Sequence, residues 1–412
     1  MVSFRSVSAL LACFLNGLFF LSLPAQAGDW SQWRGANRDG VFHAGGLIDS
    51  IPDNGLKVLW RSRVGQSYSG PAVAKGKVFV TGRLKDPDRE QVLCLDETDG
   101  KQLWEHNYLC EYGDMEYGNG PRTTPTVHLA KVYTLGTKGH LFCFDSVSGR
   151  VLWKKDLKSE YGAREPRYGI SAAPIVEKDL LIVCVGGEPD AFVVAFDRNT
   201  GEERWRSLPD RPAYCAPEII NHGGTRQLIV WSAENVSSLN PENGKVHWQV
   251  PFEVSFDDAQ IVASPVLRGD YLLCLAAWGR GSLMLKLNPE TPGASIAWRT
   301  KRDPTTTFST PWFPGEDYFY ATLMGGKLAC LDARNGDEIW STHEPTGERA
   351  GSAHITPVKK SDGSSGGVFL FNQKGQLILA DLTPKGYSER GRCLLVEATA
   401  GDRAQGPVTW AH

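Results

Sequence analysis

The sequence predicts an all-β fold, a β-propeller of four-stranded blades. Two observations carry that prediction. Trp60, Trp104, Trp153, Trp205, Trp248, Trp298 and Trp340 recur 42 to 52 residues apart. In five of these copies an Asp or Asn stands eight residues before the Trp and a Gly four before it, as in Asp145, Gly149 and Trp153. A self-similar unit of about 45 residues with three or four short apolar runs and no amphipathic helix is the sequence form of a propeller blade.

Read in order, the chain opens with Arg5, an apolar run from Ala9 to Leu23, and Ala25-Gln26-Ala27. This is the layout of a cleaved secretory signal peptide over residues 1–27. A leader segment follows at 28–54, and the propeller is expected over 55–412. A lone Trp strand, Lys57–Val64, precedes seven repeat units. Each unit opens on a small residue before proline, at Pro71, Pro125, Pro174, Pro217, Pro265, Pro311 and Pro357. Three strands follow, separated by Gly, Asn or Asp turns. The Asp-x-x-x-Gly turn brings the fourth strand back, and its Trp is placed to lie across the seam to the next blade, with its N–H on neighbouring backbone. The Trp298 copy is stretched by two residues, and the copy after Asp381 has no Trp. With an N-terminal fourth strand and a chain that stops at His412, the plan reads as eight-bladed with an incomplete last blade. A seven-bladed ring is the alternative.

Composition sets the limits. Of 412 residues, 41% are hydrophobic and 22% charged, which excludes a disordered chain and a multi-span membrane protein. Forty-four glycines and 24 prolines fit a turn-rich fold, and a net charge of −3 argues against nucleic acid as the main ligand. Nine cysteines in an exported chain would ordinarily signal disulfides. Cys94, Cys143 and Cys330 instead fill one slot of one strand, where Cys acts as a small hydrophobe. There is no Cys-x-x-Cys, and only the loop residues Cys110 and Cys215 suggest a pair.

The strings LCLDETDGKQLW, FCFDSVSGRVLW, VAFDRNTGEERW and ACLDARNGDEIW resemble the tryptophan-docking repeats of the pyrroloquinoline-quinone-type (PQQ-like) propeller family. The likeness covers roughly residues 55–396, and Asp29-Trp30-Ser31-Gln32-Trp33-Arg34-Gly35 is similar to the leader of exported members. The resemblance implies two different activities. Quinoprotein dehydrogenases of this fold hold PQQ and Ca²⁺ in a central funnel and often carry a disulfide between adjacent cysteines. Exported outer-membrane barrel-assembly (BamB-like) propellers are scaffolds. This chain has no adjacent cysteine pair, is shorter than those enzymes, and offers no ligand set that matches theirs.

Other catalytic motifs are weak. Gly363-Ser364-Ser365-Gly366-Gly367 matches Gly-x-Ser-x-Gly by letter but lies in a Ser/Gly run before a strand, away from a strand-to-helix elbow. The histidines show no zinc spacing, and no phosphate loop occurs. Function is therefore expected in the loops, on the face where the fourth-to-first and second-to-third strand connections converge. The candidate binding residues are Arg164, Glu165, Arg167, Tyr168, Asp257, Asp258, Trp278, Arg280, Arg349 and His354. Neighbours on an extended chain point to opposite sides, so at most one of Asp257 and Asp258 faces the channel. The opposite face is made of the short turns at Gly100, Gly149, Gly201, Gly244 and Gly336.

These features predict an exported, monomeric, non-catalytic propeller, periplasmic or extracellular, without cofactor or metal. It would bind a protein or cell-envelope component and would not span the membrane after signal cleavage. The alternative is a quinoprotein oxidoreductase using PQQ and calcium.

Overall fold

The computed structural model describes residues 28–44, 46–113, 115, 120–252, 260–277, 279–347, 351–398, 400–402 and 406–409. The signal segment 1–27 and the candidates Asp257, Asp258, Trp278 and Arg349 lie outside them. Each of the seven repeat units forms one antiparallel sheet in sequence order. Five have four strands, the first being Ala72–Ala74, Lys77–Leu84, Arg89–Asp96 and Gln102–Leu109. The sixth has three strands and is completed by an isolated bridge from Trp312 to Tyr320. The seventh, 353–394, gains a fifth strand, Phe42–Ala44, from the leader. A two-stranded hairpin, Ala400–Asp402 with Gly406–Val408, follows. The only helix among the described residues is one turn, Leu157–Tyr161.

Burial follows position in the blade. A middle strand is covered on both faces by neighbouring blades, so all seven residues of Ala191–Asp197 are buried and nearly all are apolar. The outermost strand has one covered face, and Gln102–Leu109 buries only Trp104 fully. The core therefore lies between blades. One cluster joins Tyr133, Leu135 and Trp153 of the second sheet to Leu181, Val183 and Phe196 of the third.

The Asp-x-x-x-Gly turn explains the repeat. Gly149 adopts a left-handed φ of 69° and its N–H donates to the Asp145 carbonyl at 2.9 Å. The Asp145 Oδ1 accepts from the backbone N–H groups of Val147 and Ser148, at 3.2 and 2.8 Å. The turn consumes an extra residue, which the ladder absorbs as a bulge just after the residue opposite the Trp. Cys94 faces Trp104, Cys143 faces Trp153, Ala195 faces Trp205 and Cys330 faces Trp340, each with the register shift immediately following.

The tryptophans cross the seams. The Nε1 of Trp60, Trp104, Trp153, Trp205 and Trp298 donates to the carbonyl one residue after the turn Asp or Asn of the following sheet, at 2.8 to 3.2 Å. Trp340 reaches the Thr383 carbonyl at 2.9 Å. Trp248 departs from the pattern. The following turn, from Asn288 to Gly293, is the stretched one, and the Trp248 Nε1 donates instead to Gln227 Oε1 of its own sheet at 3.2 Å.

The leader is built into the ring. Trp30 pairs with Val73 on the innermost strand of the first sheet, and Val127 N–H of the second donates to the Ser31 carbonyl at 2.8 Å. Trp33 Nε1 donates to Ser264 Oγ at 3.2 Å. Arg38, 6% exposed, donates to the Pro174 and Pro217 carbonyls at 3.3 and 2.8 Å. Phe42–Ala44 then runs parallel to Val358–Lys360. Residues 30–44 thus occupy the channel lined by the innermost strands.

Candidate functional site

In six blades the innermost pairing begins just after the repeat proline, and in the seventh the proline lies inside the strand Ala353–Lys360, so the residue three before each proline stands toward the loop-rich end of the channel. Those seven residues are Tyr68, Arg122, Ser171, Tyr214, Val262, Phe308 and His354. The Arg122 guanidinium lies 4.7 Å from the Tyr68 ring centre, and its Nη1 donates to the Gly120 carbonyl at 2.8 Å. The loop before the third sheet brings Tyr168 against Tyr214, with ring centres 5.6 Å apart. The Tyr168 N–H donates to the Tyr214 hydroxyl at 3.3 Å, and Gln260 Nε2 donates to the Tyr168 hydroxyl at 3.2 Å. Burial lowers the Arg122 pKa, while Tyr68, Tyr112, Tyr214 and Glu90 oppose the shift, which places all four within electrostatic reach. Tyr68, Tyr168, Tyr214 and the half-buried Arg122 form a collar at this mouth.

The six candidates in the described residues have different surroundings. Arg167 lies 5.7 Å from the Tyr168 ring centre and belongs to the collar. Arg164 turns outward to an exposed ion pair with Glu188, and Glu165 is held by Lys138 and Lys158 beside an open groove of about 610 Å³. Arg280 is half-buried, and burial lowers its pKa. His354 stands on the innermost strand of the seventh sheet, opposite Phe371. The four candidates within 164–168 thus diverge, and only Arg167 and Tyr168 join the collar. Sequence reasoning missed Tyr68, Arg122 and Tyr214. Counting three residues back from each repeat proline would have found them.

Two buried carboxylates, Glu218 on the innermost strand of the fourth sheet and Glu90 on the third strand of the first, are both taken by the chain's own donors. Glu218 pairs with Arg34 at 3.4 Å and with Arg38 at 3.5 Å. Burial lowers the Arg38 pKa, with Glu218 opposing the shift. Glu90, 1% exposed, accepts from the Tyr108 and Tyr112 hydroxyls and from the Thr137 N–H at 3.1 Å. Among the described residues no three His, Cys, Asp or Glu side chains converge as a metal site. Two guanidiniums on one carboxylate give this point of the channel a net positive charge. All described cysteines are free thiols, Cys110 and Cys215 included. No helix among the described residues is long and apolar enough to cross a membrane.

The sequence matches no curated protein. Solved structures share the fold at low identity. BamB from Moraxella catarrhalis is 14% identical over 82% of this chain and 87% of that one, with a TM-score of 0.52. Quinohemoprotein alcohol dehydrogenase from Comamonas testosteroni is 12% identical over 90% of this chain and 73% of that one, with a TM-score of 0.64. The computationally designed Ika8 protein gives 13% identity and a TM-score of 0.51 over 85% of this chain and 96% of that one. The family profile described as outer membrane protein assembly factor BamB matches residues 46–109, 88–342 and 189–390. With its tryptophan-docked sheets and a match that spans most of its length, the chain belongs to that family of PQQ-repeat propellers.

Proposed function

We propose that this is an exported binding propeller that holds a protein or cell-envelope partner on its loop-rich face and performs no chemistry there. One observation carries the reading. Glu90 and Glu218 are both engaged by fixed internal donors, so neither is poised as a general base. What the mouth presents is tyrosine and arginine, the residue types that anchor protein interfaces. Family membership supports a scaffold role, and the signal-like residues 1–27 support export to the periplasm or beyond.

A quinone-dependent oxidoreductase is the competing reading, since the fold is shared with an alcohol dehydrogenase. The test is reconstitution of the purified protein with PQQ and Ca²⁺, followed by dye reduction with simple alcohols and aldoses. We expect no turnover above a no-protein control. Clear alcohol- or sugar-dependent reduction overturns the binding reading.

A further inference from the structure

We propose that residues 29–44 are an inner clasp that closes the propeller ring from within its channel. A propeller holds together when its first and last blades are joined, and this chain has an interruption at that junction. Among the described residues, the sheets in sequence order are followed by the hairpin of 400–408 and preceded by the segment around Trp60, which forms no sheet of its own. On the outer side Trp60 bridges the interruption, with its Nε1 on the Glu97 carbonyl at 2.8 Å and Arg61 Nη1 on the Leu395 carbonyl at 3.1 Å.

The inner side is spanned by the leader. It begins on the first sheet, where Trp30 and Val73 exchange backbone hydrogen bonds of 2.7 and 2.9 Å. It ends on the seventh, where Phe42–Ala44 adds to the free edge of the innermost strand at Val358–Lys360. Between those ends Arg34 and Arg38 fasten it to Glu218, and Arg38 also binds the carbonyls of Pro174 and Pro217. A segment seated passively in a channel has no need of strand pairing at both sides of the ring's weak seam. The leader pairs with both, and its centre is pinned by a buried ion pair whose loss would leave Glu218 or the arginines uncompensated.

Hydrogen exchange on the full chain tests the clasp, with Arg38→Gln compared to wild type. The informative strands are Lys77–Leu84 and Gln376–Thr383, which belong to the first and seventh sheets but are not the strands with which the leader pairs. The clasp predicts roughly tenfold or faster exchange in both, together with residues 28–44, while Ser282–Leu287 of the fifth sheet, on neither side of the seam and not paired with the strand that carries Glu218, is unchanged. Faster exchange confined to the leader and the residues it bonds overturns the proposal. So does a leader that exchanges within seconds in wild type. If Arg38→Gln does not fold, wild-type exchange in rising urea decides. A clasp requires 28–44, 77–84 and 376–383 to open in one step, and a leader that opens alone and first refutes it.

Discussion

The indole of Trp104 lies over Gly149 in the next blade, so close that a β-carbon at that glycine would overlap the ring. Its Nε1 donates to the Ser146 carbonyl of the same turn at 3.2 Å. The turn glycine therefore does two jobs, supplying a left-handed backbone and vacating the space that the neighbouring blade's tryptophan fills. Gly201 stands in the same relation to Trp153, and Gly244 to Trp205.

Trp153→Ala should cost about 3–5 kcal/mol, because the side chain is almost fully buried at a seam and leaves a cavity between two sheets. Trp248→Ala should cost less, since Trp248 is only partly buried and bonds within its own sheet. Urea unfolding of both variants checks this. Equal losses would mean that docking onto the next turn adds nothing.

Burial pushes the thiols of Cys94, Cys143 and Cys184 up to about 12 and that of Cys330 up to about 11. At pH 8 roughly a thousandth or less of each is thiolate. Alkylation of the folded protein should therefore spare all four, and should label Cys393 first among the described cysteines, as the one that is not buried. Mass spectrometry with and without denaturant reads the result. Rapid labelling of Cys143 in the native state would contradict the seam packing.

The turn carboxylates make stability depend on acid. Hydrogen bonds from Ser148 hold the Asp145 pKa low, Arg204 does the same for Asp197, and Arg334 for Asp332. A carboxylate depressed in the folded state stabilises above its unfolded pKa of about 4, and that contribution fades as pH falls through the folded value. The triple variant Asp145→Asn, Asp197→Asn, Asp332→Asn should be less stable at pH 7 and lose less on acidification to pH 3. Parallel acid limbs for variant and wild type would remove the turns from the account.

If the collar is a partner's anchor, Arg122→Ala with Tyr168→Ala should weaken capture from envelope extract, by about 2 kcal/mol for a central anchor. Glu202→Lys on the opposite face should not. Glu203 is unsuitable as a control, because its carboxylate accepts from the Tyr161 hydroxyl at 2.9 Å and pairs with Arg206. Loss of the partner with Glu202→Lys alone would put the site on the short-turn face. Melting curves separate lost binding from lost fold.

The blades were legible because a period of about 45 residues repeats both a turn and its Trp, and the structure uses both in the same way each time. The leader was not. It has no period, and its contacts reach across the ring, as from Trp33 to Ser264, so no local pattern in the sequence announces them. The collar was half legible. The loops were chosen for their charge, yet Arg164 and Glu165 spend theirs on Glu188, Lys138 and Lys158. The collar's own residues are marked by register to the repeat proline, and polarity alone does not single them out.

The leader's path also gives the molecule a handle. Lys75 N–H reaches the Asp29 Oδ1 at 3.4 Å, at the turn between the first two strands of the first sheet. That turn adjoins the one at Glu97, whose N–H donates to the Gly76 carbonyl at 3.0 Å. Anything fused ahead of Asp29 thus emerges on the short-turn side. A bead, surface or label attached there leaves the tyrosine-lined rim turned outward, whereas cross-linking through loop lysines such as Lys138 and Lys158 would cover it.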